Sequence, residues 1–354
     1  MPKNVLILCP HLKERGGVAN YYSLVKKYFR SDSVNLSFYH TGNIATNKGF
    51  AKRVHRSVTD LLRLFGHFPE SDLVVLNPSF DLKAIIRDGI YHFTAKSIFH
   101  KKTIVFFRGW NAGFTNVVDN YCRRLFRFFF NPDKILVLSK GYKDLLIKWG
   151  FHPDRIVIET TTYEGTDGKA QKDIANIIFL SRFAHEKGCL EAIKTIEMLA
   201  GEFPQIKLYM VGEGPLMPEL KQYVALRKLG RNVKFTGWLE HQGKYRLLHQ
   251  CGIMLFPTNY GEGMPNSILE GMGAGLAIIT RPVAGIPEIV AEGKNGFLVK
   301  SLDPNDFALK VRYLFGNKEV WEFISATNRR VAEERYEIKN VVKRLNNYFC
   351  EMLG

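Results

Sequence analysis

Glu262-Gly263-Met264-Pro265-Asn266-Ser267-Ile268-Leu269-Glu270 sets two carboxylates with seven residues between them, between an apolar run at 253–257 and another at 277–279. The spelling predicts strand, loop, helix and strand in that order. Pro257, Gly261, Gly263 and Pro265 crowd the first glutamate and place it in a loop. Residues 268–279 are apolar and small enough for a buried helix running into the next strand. Asn266 or Ser267 is positioned to cap that helix, whose free N–H groups and positive dipole end then face whatever Glu262 faces. A carboxylate, a tight loop and a helix N-terminus suit a sugar hydroxyl beside a phosphate. By spacing alone, a capped helix with Glu270 on a solvated face accounts for the same residues equally well.

Outward from this stretch, the same alternation continues. Strand-like runs occur at 5–9, 34–39, 73–76, 103–107 and 134–138, with helical stretches at 18–29 and 140–149. A polar segment, 160–173, carries Gly165 and Gly168 and reads as a linker. A second series of runs follows at 174–180, 207–211, 233–235, 253–256 and 277–279, and 320–349 is helical in composition. Strands alternating with helices predict parallel α/β sheets, and 354 residues exceed the usual size of one core. Two doubly wound domains facing a cleft are expected, with ligands at the carboxyl ends of their strands.

Composition narrows the partners. Apolar content of 46% and charged content of 24% are those of an ordinary globular protein. No apolar run reaches the ~20 residues that span a bilayer, and the first residues lead straight into a buried strand. Five cysteines, scattered and without C-x-x-C spacing, fit reduced thiols in the cytoplasm rather than disulfides or zinc. Residues 1–165 hold 25 Lys and Arg against 13 Asp and Glu; residues 166–354 hold 25 against 21. A basic first half attracts nucleic acid, an anionic membrane or an anionic substrate. No nucleic-acid-binding module is recognisable, so no nucleic acid is expected.

Other segments add chemistry. Phe179-Leu180-Ser181-Arg182-Phe183-Ala184-His185-Glu186-Lys187-Gly188 puts two cations just after a strand, where a guanidinium fork and a compact ammonium hold a diphosphate. Solvated cations are the commoner fate of any Arg and Lys pair. Gly16-Gly17 follows the first strand and precedes a helix, which lets backbone approach a phosphate or sugar, although a plain turn explains two glycines too. Val211-Gly212-Glu213-Gly214-Pro215, Val233-Lys234-Phe235-Thr236-Gly237, Gly285-Ile286-Pro287-Glu288-Ile289-Val290 and Asn295-Gly296-Phe297-Leu298-Val299 complete the series.

That order and spacing resemble the retaining GT-B glycosyltransferases of family 4, which include many bacterial surface-polysaccharide enzymes; the likeness is close over 176–302 and looser before it. It implies a GT-B fold: an acceptor-side Rossmann-like domain at 1–165, a nucleotide-sugar donor-binding domain at 166–337, and a C-terminal helix at 338–354 packing back on the first. It implies transfer of a sugar from a UDP- or GDP-sugar to a glycan or lipid-linked acceptor with retention of configuration. The nucleotide-sugar is a co-substrate and no further cofactor is required; no Asp-x-Asp metal motif is visible. Arg182 and Lys187 would stabilise the departing diphosphate. Glu262 would lie near donor-sugar hydroxyls as a catalytic residue, and Glu270 would accept the ribose hydroxyls. Gly263, Met264, Pro265 and Asn266 would line the donor, and Gly16 and Gly17 would close over it. Relatives often place a histidine and an acidic residue where this chain has Arg108-Gly109-Trp110-Asn111. Arg108 is then a sugar or acceptor contact in place of an imidazole, or a structural arginine. A same-fold epimerase and a non-catalytic sugar-binding relative are the alternatives.

Tyr121-Cys122-Arg123-Arg124-Leu125-Phe126-Arg127-Phe128-Phe129-Phe130 interleaves cations with aromatics, as do Arg53, Arg56 and Arg63 with their leucines. Such segments either pack their rings in the core or lie at an anionic membrane surface. They suggest a cytoplasmic protein that meets the inner face of the membrane peripherally.

Overall fold

Unbroken apolar runs become strands covered on both faces. The computed structural model describes residues 1–14, 16–41, 50–165, 172–261 and 263–354, and for 50–58 and 112 the backbone alone. Its contacts divide the chain into two units, Met1–Thr161 with Ile338–Gly354, and Thr162–Glu337.

In the first unit the strands are β1 (Lys3–Cys9), β2 (Val34–His40), β3 (Leu73–Leu76), β4 (Ser79–Phe80), β5 (Lys102–Phe107), β6 (Gly109–Trp110), β7 (Lys134–Val137) and β8 (Ile156–Ile158). Six form one parallel sheet in the order β2-β1-β3-β5-β7-β8, and β4 pairs with β6 alone. Val5 to Cys9, Leu73 to Leu76 and Thr103 to Phe107 are buried throughout, as strands with helices on both faces must be. The order reverses between β1 and β3, so their carboxyl ends diverge there. The helices are α1 (Gly17–Tyr28), α2 (Phe50–His67), α3 (Leu82–Phe93), α4 (Ala112–Val117), α5 (Arg123–Phe129) and α6 (Lys140–Lys148). Asp81, Asn111 and Ser139 cap α3, α4 and α6 by accepting from the amides of Ala84, Phe114 and Tyr142. A stack of rings, Phe80 on Trp110 at 4.3 Å and Trp110 on Tyr142 at 4.2 Å, pins the β4–β6 pair in place.

The second unit repeats the plan with β9 (Asp173–Leu180), β10 (Lys207–Val211), β11 (Val233–Gly237), β12 (Cys251–Phe256), β13 (Ala277–Thr280) and β14 (Gly296–Leu298). All pairs are parallel and the order is β11-β10-β9-β12-β13-β14. Here the reversal falls between β9 and β12, which lie side by side. Its helices are α7 (Cys189–Ala200), α8 (Met217–Leu226), α9 (His241–Gln250), α10 (Asn266–Gly273), α11 (Pro304–Gly316) and α12 (Lys318–Tyr336). Asn328 of α12 donates to the carbonyls of Leu276 and Asn295, both at 2.7 Å, which fixes that helix against the sheet.

The last helix, α13 (Ile338–Leu353), belongs to the first unit. Phe349 packs on Phe29, and Arg344 makes a 2.6 Å contact with the fully buried Glu159, whose other oxygen accepts from Tyr348 at 2.9 Å. A carboxylate so deep is stable only because its lone pairs are filled. Features that go beyond the sequence reading include β8, β14, α3, the β4–β6 pair, and the π-helical turns at Thr94–Ile98 and Val118–Cys122.

His92 sits in this core with Nδ1 2.6 Å from the Phe129 carbonyl and Nε2 3.2 Å from the Thr103 hydroxyl. The neutral ring donates from Nδ1 to the carbonyl, and Nε2 lies beside a hydroxyl that also reaches Asp133 Oδ2 at 3.2 Å. Burial pushes its pKa down to about 4, from an ordinary 6.5. The unfolded chain therefore binds an extra proton between those values, and stability is lost as pH falls from 6.5 through 4. The gap corresponds to about 3 kcal/mol. Thermal unfolding followed across that range should show the slope, and His92→Gln should flatten it; an unchanged slope would show that other groups set the acid limb.

Candidate functional site at the strand-order reversal

The segment after β9 is tied to its neighbours at almost every residue. Ser181 donates to the Val211 carbonyl at 3.1 Å and Phe183 to the Glu213 carbonyl at 3.0 Å. Phe183 is fully buried, which leaves Arg182 between them pointing to solvent. A single 3-10 turn, His185–Lys187, leads to Gly188 with φ of +74°. A Cβ on Gly188 would lie 2.2 Å from the Pro257 carbonyl oxygen, so only glycine fits this turn. The loop after β12 closes on the same turn: the Asn259 amide donates to the Glu186 carbonyl at 2.8 Å and the Thr258 hydroxyl at 3.3 Å. Lys187 Nζ then stands 3.9 Å from the centre of the half-exposed Tyr260 ring. Arg182 and Lys187 are thus carried by the β9 loop, locked to the β12 loop that runs toward Glu262.

Glu262 itself lies outside the described residues. Beyond it, Met264 and Pro265 are buried, and a Cβ on Gly285 would fall 1.8 Å from the Gly263 carbonyl. The α10 start differs from the sequence reading. Pro265 occupies the cap position and no side chain caps the helix; Asn266 and Ser267 are its first two residues. Pro265 fixes the extended backbone that a cap requires (φ −67°, ψ 121°), and its carbonyl accepts from Ile268.

Glu270 is not on a solvated face. Only 6% of it is exposed, and Lys244 of α9 donates to its Oε1 at 2.6 Å. The neighbouring Glu164 pairs with His241, and burial, reinforced by the Glu270 charge, pushes the Tyr245 phenol well above its ordinary range. Glu270 thus belongs to a polar cluster between α9 and α10, one turn into the helix that Asn266 begins. Lys244 carried no sequence signal, because it is 26 residues from its partner.

Gly16, Gly17 and Arg108 belong to the first unit. Gly16 is extended and a Cβ there would meet nothing within 4 Å, while Gly17 opens α1. Arg108 follows β5, its guanidinium carbon 3.8 Å from the Tyr21 ring centre and 4.3 Å from that of Phe106. Its Nη1 is buried without a hydrogen-bond partner among the described residues, and so is the Tyr21 hydroxyl. Burial raises the Tyr21 phenol despite the adjoining cation. Aromatic faces hold the guanidinium without neutralising it, which leaves a donor for an anion or hydroxyl.

Each unit is a parallel doubly wound sheet, the two-domain architecture of GT-B glycosyltransferases. HepE of Anabaena, solved in complex with UDP and glucose, superposes with a TM-score of 0.74 at 17% identity, over 99% of this chain and all of that one. Residues 175–317 match the model of the family described as glycosyl transferases group 1. The uncharacterized glycosyltransferase MJ1069 of Methanocaldococcus jannaschii is 25% identical over 64% of this chain and 60% of its own length. The putative colanic acid biosynthesis glycosyltransferase WcaL of Salmonella typhimurium is 23% identical over 59% and 54%. The chain therefore spans a little over half the length of these two relatives.

The buried pair makes its own test. Lys244→Met strands the Glu270 carboxylate and should cost about 3 kcal/mol of stability. Adding Glu270→Gln should recover much of that, giving a coupling above roughly 1 kcal/mol in a double-mutant cycle. Additive losses in thermal or denaturant unfolding would mean that the pair holds nothing.

Proposed function

We propose that the chain is a retaining glycosyltransferase that moves a sugar from a UDP- or GDP-sugar to a glycan or lipid-linked acceptor, in the synthesis of bacterial surface polysaccharide at the cytoplasmic side of the membrane. The observation that carries this is the locking of the Arg182–Lys187 loop to the β12 loop, at the reversal of a parallel sheet. That is where doubly wound folds bind nucleotides. Two neighbours support the reading by what they are named for: UDP and glucose bound to HepE, and colanic acid biosynthesis for WcaL.

In this reading Arg182 forks onto the diphosphate and Lys187 swings from the Tyr260 ring to it. Charge grows on the diphosphate as the glycosidic bond breaks, so both cations act most strongly in the transition state and no divalent ion is needed. Glu270 accepts the ribose diol, with Lys244 holding its carboxylate in place. Gly263 to Asn266 lie along the donor, and Glu262 takes the hydroxyls of the transferred sugar. Gly16 and Gly17 let the backbone of the first unit approach the donor, and Arg108 offers Nη1 to sugar or acceptor.

Calorimetry with UDP-, GDP-, ADP- and TDP-sugars, followed by slow hydrolysis of the donor that binds, tests the proposal. Micromolar binding of one family of nucleotides is expected; binding of none would sink it. Lys187→Ala and Arg182→Ala should each lower turnover on the order of a hundredfold, about 3 kcal/mol of barrier, with folding intact. Arg182→Lys should not restore the rate, because the planar fork is lost. Glu270→Gln should weaken the free nucleoside diphosphate and the donor alike, whereas Glu262→Gln should weaken only the intact donor. Equal losses for both ligands in both variants would show that the two roles are misassigned.

A further inference from the structure

The first unit exposes an apolar ridge that its own fold does not cover. On α3, Leu82, Ile86 and Ile90 recur every fourth residue and all face solvent, although the opposite side of the helix is buried. On the π turn and α5, Tyr121, Leu125 and Phe128 do the same. These six side chains are between 40% and 84% exposed. The two stripes adjoin. A Cβ on Gly89 would lie 3.2 Å from the Phe130 ring, and Phe93 of α3 meets the Phe128 ring at 5.6 Å. Phe126 and Phe130 of the same sequence run are buried, so the aromatic segment divides: two rings go to the core and Phe128 stays outside.

Charge decides what this ridge meets. Residues 82–98 and 112–129 carry six Lys and Arg against two Asp. Arg87, Arg123 and Lys96 pair with Asp88, Asp119 and Asp133 at 2.8, 3.0 and 2.6 Å, which leaves Lys83, Arg124 and Arg127 as the cations of these segments with no acidic partner among the described residues. Lys83 and Arg124 are exposed on the same helices as the apolar stripes. A second copy of the chain would bring this positive surface against itself in a twofold contact. We propose that the α3–α5 ridge is the docking surface of this protein for an anionic lipid bilayer. Leucine, isoleucine and phenylalanine enter the acyl boundary, Tyr121 sits at the headgroup level, and the cations meet the phosphates. No helix among the described residues is long and apolar enough to cross a membrane, so the contact is with the surface only. The inference rests on the surface alone and does not depend on which sugar is transferred.

The test is co-sedimentation of the full chain with vesicles of phosphatidylcholine alone or mixed with phosphatidylglycerol, at low and physiological salt. Binding should require phosphatidylglycerol and weaken as salt screens exposed charge beyond ~8 Å. Ile86→Asp with Phe128→Asp should lower vesicle binding about tenfold or more, since both side chains leave the acyl boundary. Lys83→Gln and Arg124→Gln, which remove no apolar group, should each lower it about fivefold. Leu226→Asp, at an exposed position of the second unit, should leave it unchanged. Equal binding to both vesicles, or equal loss in the ridge variants and Leu226→Asp, overturns the proposal. So does a dimer in lipid-free buffer that Ile86→Asp dissociates, which would assign the ridge to a second copy. Donor hydrolysis without vesicles, measured in parallel, separates any failure here from failure of the transferase reading.

Discussion

The close approach of Gly188 to the Pro257 carbonyl is the constraint on which the second unit's site depends. Reversal of strand order between β9 and β12 opens a gap at the carboxyl edge of the sheet. Two loops enter that gap, and each would wander unless the other held it. Contact at 2.2 Å, counted to an absent Cβ, is possible for glycine only. It seats the 3-10 turn against β12, and the Glu186 carbonyl then gathers the Asn259 amide and Thr258 hydroxyl. Arg182 and Lys187 inherit the positions of their backbone from this lock. A long flexible cation is thereby delivered from a fixed root, which limits the entropy lost when it meets an anion.

The same economy appears in how charge is stored. Arg108 rests between two aromatic faces with one nitrogen unsatisfied, and Lys187 rests over Tyr260. A ring lowers the energy of a cation without cancelling its charge. Glu270 is handled in the opposite way, paired at 2.6 Å with Lys244 because a buried carboxylate without a partner is too costly. Glu159 in the first unit follows the second pattern with Arg344 and Tyr348. Deep carboxylates are neutralised for stability, whereas Arg108 is held by aromatic faces with Nη1 unsatisfied among the described residues.

Most strands were legible because parallel strands buried on both faces are spelled as apolar runs; residues 5–9, 73–76 and 253–256 need nothing more. Ile156–Ile158 was missed because three residues with one exposed carry too little pattern. The cap of α10 was misread because Asn and Ser are the better cap formers in isolation, while the buried Pro265 holds that position here. Glu270 was read correctly as helical, but its environment could not be read. Lys244 meets it only through the packing of α9 on α10. The exposed stripe of α3 escaped notice for a related reason. Its sequence alternates apolar and charged residues as an ordinary amphipathic helix does, and only the structure shows that Ile85 and Tyr91 face the core while Ile86 and Ile90 do not.

The uneven charge of the two halves follows from these arrangements. In residues 166–354 the charges largely balance, 25 Lys and Arg against 21 Asp and Glu. A net excess over residues 1–165 is unfavourable for folding, since like charges repel across a compact unit. It is tolerable where the charge is spread along exposed helix faces and screened by salt, as on α3 and α5. Exposed isoleucine and phenylalanine on those same faces add a second cost, paid in solubility. One bilayer surface relieves both, because it supplies anionic headgroups for the cations and an acyl boundary for the apolar side chains.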